Sequence, residues 1–226
     1  MNEIKPPLIV LNFKNYIQSV GDKGLKLAKI AEEVAKETNT TIILCPQTVD
    51  IRLIASEVDI PVFAQHVDPN EPGSHTGNNL IEAIKEAGAV GTLVNHSEHR
   101  LKLSDIERII ERTKKADMFT IVCANNIKTS RAAAAMEPKA VAMEPPELIG
   151  SGISVTTRPD LVKRTIAEIL SVNPKVIPLV GAGVTSSSDV SEAIRLGSKG
   201  VLLASGFVKA SDPRSVLLGM AEALSQ

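Results

Sequence analysis

The chain has 226 residues, 43% of them hydrophobic, and its 25 basic and 26 acidic side chains give a net charge of −1. A chain of this length buries enough surface to fold without disulfides or metal ions. The near-zero charge argues against a nucleic-acid-binding protein, which needs a basic excess or a basic face. Stacking platforms for single strands are not expected either, because 2% of the residues are aromatic and Trp is absent.

The chain is not expected to enter a membrane, because no apolar stretch approaches the roughly 20 residues that span a bilayer. The polar residues 1–7 lack the apolar region of a signal peptide. Cys45 and Cys123 lie within apolar runs, which favours buried free thiols, and no His stands at the spacing of a zinc site. We therefore expect a cytoplasmic protein without a bound metal.

Short apolar runs recur along the chain and are predicted to be β-strands. Their apolarity is continuous rather than alternating, which is typical of parallel strands that are buried on both faces. The runs span residues 8–13, 41–45, 61–65, 90–95, 119–124, 140–144, 176–180 and 200–204.

Charged segments with helical periodicity separate these strands. In residues 25–36, the apolar side chains face one way and most lysines and glutamates face the other. The segment 50–57 leaves room for a short helix. The predicted helix termini are an N-cap pair at Ser104 and Asp105, a first-turn proline at Pro159 and a C-cap at Gly197.

Eight strand-and-helix units without a linker leave two folds, a closed (β/α)8 barrel and a doubly wound open sheet. The open sheet is expected to carry Gly-x-Gly-x-x-Gly directly after its first strand. Asn12-Phe13-Lys14 follows the first strand instead. We therefore predict an α/β protein in which residues 1–226 form a single (β/α)8 barrel domain.

Polar residues follow several of the predicted strands, at the end where barrels of this kind carry their sites. Lys14, His96 and Glu144 bring a cation, an imidazole and a carboxylate to one rim. Each is commonly a structural or solvated residue when it occurs alone, but together they predict an active site. The other polar residues at strand ends are Asn12, Gln65, His66, Asn95, Glu98, Asn125 and Asn126.

Small residues follow the last two strands, in Gly181-Ala182-Gly183 and Ala204-Ser205-Gly206. Such residues let backbone N–H groups approach an anion, and the loops after strands 7 and 8 are the usual phosphate site in this fold. A short helical turn from Ser205 is expected to add its N-terminal dipole. Tight turns between strand and helix explain these glycines equally well.

The segment 144–152, Glu-Pro-Pro-Glu-Leu-Ile-Gly-Ser-Gly, has the features of a lid. The two prolines hold the backbone at Glu144 extended, and Gly150 and Gly152 allow movement near the apolar tip at Leu148 and Ile149. A long ordered surface loop is the structural alternative.

The motifs Asn-Phe-Lys (12–14), Thr-Gly (76–77), Asn-His-Ser-Glu (95–98), 144–152, Gly-Ala-Gly-Val (181–184) and 200–206, in this order, resemble the triosephosphate isomerase family and its archaeal branch. The resemblance runs from the first strand to the last. It implies a TIM barrel that interconverts D-glyceraldehyde 3-phosphate and dihydroxyacetone phosphate through an enediolate, in glycolysis and gluconeogenesis. It implies neither a cofactor nor a metal ion.

The resemblance also implies residue roles. Glu144 is the catalytic base, His96 is a neutral electrophile kept so by a helix that begins directly after it, and Lys14 supplies positive charge. Glu98 is an ion partner behind the site, and Thr76 braces Lys14 of a neighbouring subunit across the interface. The residues implied in substrate binding, besides Lys14, are Asn12, Phe13, Ile149, Gly150, Gly183, Ala204 and Ser205.

The loop 68–77 resembles the one that enters a neighbouring subunit in this family, so a homo-oligomer is expected, a dimer or, by resemblance to the archaeal branch, a tetramer. The sequence departs from the family's pattern in three places. His99 replaces a usual Arg, Val180 replaces an aromatic residue that latches the lid in many relatives, and the stretch 153–160 is one residue shorter than in archaeal relatives.

Two other functions remain open at this point. Another phosphosugar barrel, such as an indole or ribosyl-phosphate isomerase or synthase, would share the phosphate site but would not need Lys14, His96 and Glu144 together. A non-catalytic metabolite-binding or scaffold barrel would be expected to have lost the base or the electrophile, and both are present.

Overall fold

The structure, a computed structural model, describes residues 4–224; the ends of the predicted domain, 1–3 and 225–226, lie outside the described residues. In this part of the chain eight parallel strands form one sheet in the order β2-β1-β8-β7-β6-β5-β4-β3. The strands are β1 (Leu8–Asn12), β2 (Thr41–Cys45), β3 (Phe63–Ala64), β4 (Gly91–Val94), β5 (Phe119–Ala124), β6 (Ala140–Met143), β7 (Ile177–Gly181) and β8 (Gly200–Leu203).

The sheet closes on itself between its two outer strands. Leu44 of β2 and Val62, directly before β3, form a parallel bridge, and Leu44 N–H donates to the carbonyl of Pro61 at 2.9 Å. The predicted (β/α)8 barrel is thereby confirmed over the open sheet. β3 is shorter than the predicted 61–65, because beyond Ala64 the chain leaves the sheet for the loop 68–77.

The helices follow the strands in turn. They are α1 (Asp22–Thr38), α2 (Ile51–Ala55), α3 (Ile81–Glu86), α4 (Leu103–Lys115), α5 (Ile127–Ala135), α6 (Pro159–Val172), α7 (Ser187–Arg195), α8 (Ser205–Val208) and α9 (Pro213–Ala223). Within residues 4–224, no helix is long and apolar enough to cross a membrane.

Most of the predicted helix boundaries are found. Pro159 opens α6, and Gly197 follows α7 with a φ of 100°, a left-handed conformation that suits glycine. The prediction of an N-cap at Ser104 and Asp105 is wrong, because Lys102 is the N-cap of α4. The carbonyl of Lys102 already accepts from the N–H groups of Asp105 and Ile106, so Ser104 lies inside the first turn.

Two apolar layers hold the barrel together. Leu8 and Val10 of β1 belong to the cluster that fills the barrel, whereas Ile9 and Leu11 belong to the larger cluster between strands and helices. This alternation follows from the two-residue period of a strand and explains why the runs are apolar throughout. Polar side chains are thus left for the positions just beyond the strand ends.

Candidate active site

Asn12 and Lys14 form a fixed turn at the end of β1. Lys14 has a φ of 46°, which is uncommon for a residue other than glycine, and its N–H donates to Oδ1 of Asn12 at 3.0 Å. The amide of Gln65 donates at 3.0 Å to the carbonyls of both Lys14 and Cys45. The backbone that carries the Lys14 side chain is therefore held by the side chains of Asn12 and Gln65.

The ammonium of Lys14 lies at the mouth of the barrel beside Glu98. Nζ is 2.8 Å from Oε1 of Glu98, and the two side chains are 13% and 55% exposed. Glu98 is thus the predicted ion partner of Lys14, although it stands half exposed at the mouth rather than behind the site. Because the pair is exposed on one side, it holds Lys14 in place more than it stabilises the fold.

The imidazole of His96 is buried and has a defined tautomer. Nδ1 accepts from the N–H of Glu98 at 3.2 Å, so the ring proton of a neutral His96 lies on Nε2. The prediction of a helix directly after His96 is wrong, because α4 begins at Leu103. A single turn replaces it, closed by the N–H of His99 on the carbonyl of His96 at 2.8 Å.

Nε2 of His96 and Oε2 of Glu144 lie 3.4 Å apart. Both side chains are almost fully buried, and in the part of the chain that the structure describes neither atom has a hydrogen-bond partner. Leaving a buried polar group unpaired costs about 1–3 kcal/mol, so such atoms call for an explanation. A polar ligand with an acceptor and a donor would satisfy these two neighbouring atoms.

The carboxylate of Glu144 has a closely packed setting. The backbone N–H of Glu144 donates to the carbonyl of Ala124 at 2.8 Å. A Cβ on Gly181 would lie 2.9 Å from Cγ and Oε1 of Glu144. Burial raises the pKa of Glu144 above its ordinary value, while His96 and Lys14 oppose that rise.

Two cavities adjoin Lys14. The larger, of about 430 Å³, is lined by Asn12, His96, Glu98 and their neighbours. The smaller, of about 170 Å³, is lined by Glu144 and by the residues predicted to bind phosphate, which are Ile149, Gly150, Gly183, Ala204 and Ser205. The fold therefore brings the predicted catalytic residues and the predicted phosphate-binding residues to the same mouth.

Two predicted residues lie apart from this group. The side chain of Phe13 is fully buried against Phe207, and its N–H and carbonyl are taken by Cys45 and Ser19. Phe13 therefore packs beneath the site and has no free group for a substrate. Thr76 is exposed in the loop 68–77 and has no contact with Lys14 within the described chain.

Several residues that line the cavities were not predicted from the sequence. Tyr16 lines both cavities, and Nζ of Lys209 lies 4.1 Å above its ring. Tyr16 is the single tyrosine of the chain and stands two residues beyond Lys14, which was an available signal. Thr48, Asn79 and Thr185 also line the cavities, but nothing in their local sequence indicates it.

His99, which departs from the family's usual Arg, stacks on His66 with ring centroids 4.0 Å apart. Nε2 of His66 lies 3.2 Å from Asp68. Burial lowers the pKa of His66, against the opposing effect of Asp68.

Cys45 and Cys123 are buried free thiols, as expected. Among residues 4–224, no three His, Cys, Asp or Glu are arranged to hold a metal ion.

The chain matches the family model described as triosephosphate isomerase over residues 7–223. It is 52% identical to the triosephosphate isomerase of Methanothermus fervidus over 212 residues, 93% of this chain and 96% of that protein. It is also 52% identical to the one of Methanobacterium bryantii over 222 residues, 97% and 98% of the two chains. The one of Methanocaldococcus jannaschii is 52% identical over 206 residues, 91% and 94% of the two chains. The chain therefore belongs to the triosephosphate isomerase family.

Proposed function

We propose that this protein interconverts D-glyceraldehyde 3-phosphate and dihydroxyacetone phosphate, a step of glycolysis and gluconeogenesis. The observation that carries the proposal is the pair of unpaired buried atoms, Nε2 of His96 and Oε2 of Glu144, beside the ammonium of Lys14. A hydroxyaldehyde or hydroxyketone presents a carbonyl oxygen and an acidic C–H on neighbouring atoms. The carbonyl would satisfy the donor, and the carboxylate would meet the C–H.

Glu144 is proposed as the base, which removes a proton from the carbon beside the carbonyl and returns it to the neighbouring carbon. A base must be ionised to accept a proton, and its strength increases with its pKa. Burial raises the pKa of Glu144, while the opposing positive charge of Lys14 keeps the carboxylate available. Pro145 and Pro146 restrict the backbone that follows it.

His96 is proposed as the electrophile. In its neutral form Nε2 carries a proton, because Nδ1 accepts from the N–H of Glu98. Such an N–H polarises a carbonyl and passes its proton between the two oxygens of the enediolate. The acidity of the enediol is nearer to that of a neutral imidazole than to that of an imidazolium. The triosephosphate isomerase family is the established example of this use of a neutral histidine.

Lys14 is proposed to stabilise the negative charge that develops on the substrate oxygen and the charge of the phosphate. The phosphate itself is proposed to bind in the smaller cavity, through backbone N–H groups of Gly150, Gly183 and Ser205. Asn12 is proposed to orient the substrate through the turn that it holds at Lys14. Phe13 is left out of this proposal because its side chain is buried elsewhere.

An assay with D-glyceraldehyde 3-phosphate, coupled to a dehydrogenase specific for dihydroxyacetone phosphate, tests the proposal. Glu144→Asp withdraws the carboxylate by one methylene and is expected to lower kcat by about 10²- to 10⁴-fold, with little change in the affinity for 2-phosphoglycolate. Glu37→Asp, an exposed glutamate that pairs with Arg214 on the barrel's outside, is the matched control and should keep full activity. Isomerisation that is unaffected by Glu144→Asp would overturn the assignment of the base.

We further propose a homo-oligomer, a tetramer built from two dimers. In favour of a dimer, the larger cavity opens beside Lys14, and the loop 68–77 stands exposed on the same chain. Arg112 holds that loop, since it is buried, donates to the carbonyl of Asn70 and pairs with Glu71 and Glu82. A firmly held loop of this kind would enter a partner's cavity and bring Thr76 to its Lys14.

We also propose a single domain, a cytoplasmic location and activity without a cofactor. One domain over residues 1–226 is supported by the way in which the strands of the described chain join one sheet. A cytoplasmic location and independence from cofactors rest on the family to which the chain belongs.

A further inference from the structure

The segment 144–152, which has the features of a lid, continues through residues 153–157, and these form its returning end against the turn that follows β7. The N–H of Val155 donates to the carbonyl of Ala182 at 3.1 Å, and the side chain of Val155 is fully buried. A Cβ on Gly183 would lie 1.9 Å from the carbonyl oxygen of Ile153. The returning end of the lid and a residue of the smaller cavity are therefore in direct backbone contact.

Asp189, at the start of α7, links these two pieces of chain through its carboxylate. One oxygen, Oδ2, accepts from the N–H groups of Thr185 and Ser186, both at 3.0 Å, and from the hydroxyl of Ser186 at 2.9 Å. The other, Oδ1, lies 3.4 Å from the hydroxyl of Thr156, which contacts the hydroxyl of Ser154 at 2.8 Å.

This network is partly sheltered from solvent. Ser154 and Thr156 are buried, and Asp189 is half-buried. Burial opposes the ionisation of Asp189, but the donors from Thr185 and Ser186 outweigh it and hold the pKa of the carboxyl below its ordinary value. An ionised carboxylate that receives several N–H and O–H donors makes stronger hydrogen bonds than a neutral group.

We propose that Asp189 is a positioning residue for the isomerase reaction, which fixes the returning end of the lid, at Ser154 and Thr156, to the turn that carries Gly183. This inference rests on the proposed function. At this end the Asp189 network adds a side-chain connection between the lid and the barrel to the backbone hydrogen bond from Val155 to Ala182. Glu147, near the start of the segment, pairs at 2.7 Å with Arg158 at its returning end, but both side chains are exposed.

The consequence for catalysis follows from the chemistry of the intermediate. In an enediolate phosphate, the C–O bond to phosphate breaks when the electron pair of the enediolate moves toward it. Phosphate then leaves with the bonding electrons, and the remaining enol becomes methylglyoxal by proton transfer. A lid that holds the phosphate away from that geometry suppresses this elimination. Loosening the lid's returning end should therefore change the product ratio as well as the rate.

Two variants break the link from opposite sides. Thr156→Val removes the hydroxyl on the lid side with little change of shape and leaves the hydrogen bonds at the start of α7 in place. Asp189→Asn removes the charge on the barrel side. Asp212→Asn is the matched control, because Asp212 is also an aspartate that caps a helix, accepting from the N–H of Ser215 at 3.0 Å, and it lies at the start of α9.

For Thr156→Val and Asp189→Asn we expect kcat to fall about 10-fold or more, and the fraction of methylglyoxal and inorganic phosphate among the products to rise several-fold. Binding of 2-phosphoglycolate, measured by calorimetry, should weaken in both. Asp212→Asn should lose a similar amount of thermal stability to Asp189→Asn and keep the wild-type product ratio.

The outcomes separate the inference from the function on which it rests. A wild-type chain that does not isomerise the triose phosphates would overturn the proposed function, and the linkage would then be judged from 2-phosphoglycolate binding. If the wild type isomerises and both variants keep its kcat and product ratio, the role of Asp189 is wrong. That role is equally wrong if Asp212→Asn changes the product ratio as much as Asp189→Asn does.

Discussion

The charge on Glu144 depends on the ammonium of Lys14, which opposes the effect of burial on the pKa of the carboxyl. A base whose pKa lies above the ordinary value of 4.5 loses activity as the pH falls through that raised pKa. Lys14→Met removes the opposing charge and should raise the pKa of Glu144 further. The acidic limb of kcat/KM, measured on the residual activity, should therefore move to higher pH.

Difference infrared spectroscopy of the carboxyl group, with Glu144→Gln as the reference, follows the same titration without turnover. Lys29→Met is the matched control, because Lys29 is an exposed lysine that pairs with Glu57 on the outside of the barrel. An acidic limb that stays in place, or moves to lower pH, in Lys14→Met would contradict the proposed coupling.

Gly181 sets the position of the Glu144 carboxylate by lacking a side chain. In Gly181→Ala the new Cβ would lie 2.8 Å from the carbonyl of Leu202 and 2.9 Å from Glu144, so the more movable carboxylate is expected to shift. A shift of about 1 Å lowers kcat by roughly 100-fold, with a smaller change in KM. Steady-state kinetics measure both constants.

Gly219→Ala is a matched substitution in α9, where the new Cβ would find ordinary contact with Ser187 at 3.8 Å. It should raise the free energy of unfolding by about 0.5–1 kcal/mol and leave the kinetics unchanged. If Gly181→Ala has the kinetics of the wild type, the close packing at Glu144 does not control catalysis.

Among the elements, the loop between β4 and α4 is organised by Asn95. Its φ is 60°, its amide donates to the carbonyl of Cys123 at 3.0 Å, and its Oδ1 accepts from the N–H of Leu101 at 2.9 Å. Asn95→Ala removes both hydrogen bonds and should lower the free energy of unfolding by about 1–3 kcal/mol. Since His96 is the next residue, kcat should fall as well.

Urea denaturation and steady-state kinetics measure these two effects. Asn126→Ala serves as the control, because Asn126 caps α5 through the N–H of Thr129 at 2.9 Å on the exposed side of the chain. It should cost about 1 kcal/mol of stability with kcat unchanged. A loss of kcat in Asn126→Ala equal to that in Asn95→Ala would show that general destabilisation, rather than the position of His96, is responsible.

Element type and order were predictable from the sequence, whereas some boundaries were not. Apolar runs show the strands because a strand buried on both faces excludes polar residues. The helix expected directly after His96 is a single turn instead. The side chain of Asn95 accepts a hydrogen bond from the N–H of Leu101 and so holds the loop up to that residue, and α4 begins at Leu103. That hydrogen bond joins residues six apart in a loop, and no local pattern reveals it.

The same distinction applies to the site. That Lys14, His96 and Glu144 lie together was predictable because each follows a strand, and parallel strands in a barrel end at one rim. The contact of Gly181 with Glu144 and the link from Asp189 to Thr156 were not found. They join different strand-and-helix units, so they depend on how the units pack rather than on any spacing along the chain.

For the whole molecule, the apolar side chains beside the larger cavity indicate where a second copy would bind. Ile17 is 66% exposed and Val49 is 82% exposed. The turns that carry them lie side by side, since Gly21 N–H donates to Asp50 at 2.9 Å. Both turns directly follow cavity-lining residues, Tyr16 and Thr48. Apolar surface of this kind next to a cavity is typical of an interface.

Val49→Asp places a charge in this surface and should weaken association of the subunits by about 10-fold or more. Because the loop 68–77 of a partner is proposed to brace Lys14, the activity per subunit should then fall on dilution. Sedimentation velocity and assays over a range of protein concentrations measure the two effects. Leu170→Asp changes an exposed leucine on α6 and should leave both unaffected. If Val49→Asp has the sedimentation and the activity per subunit of the wild type at every concentration, this face is not part of the interface.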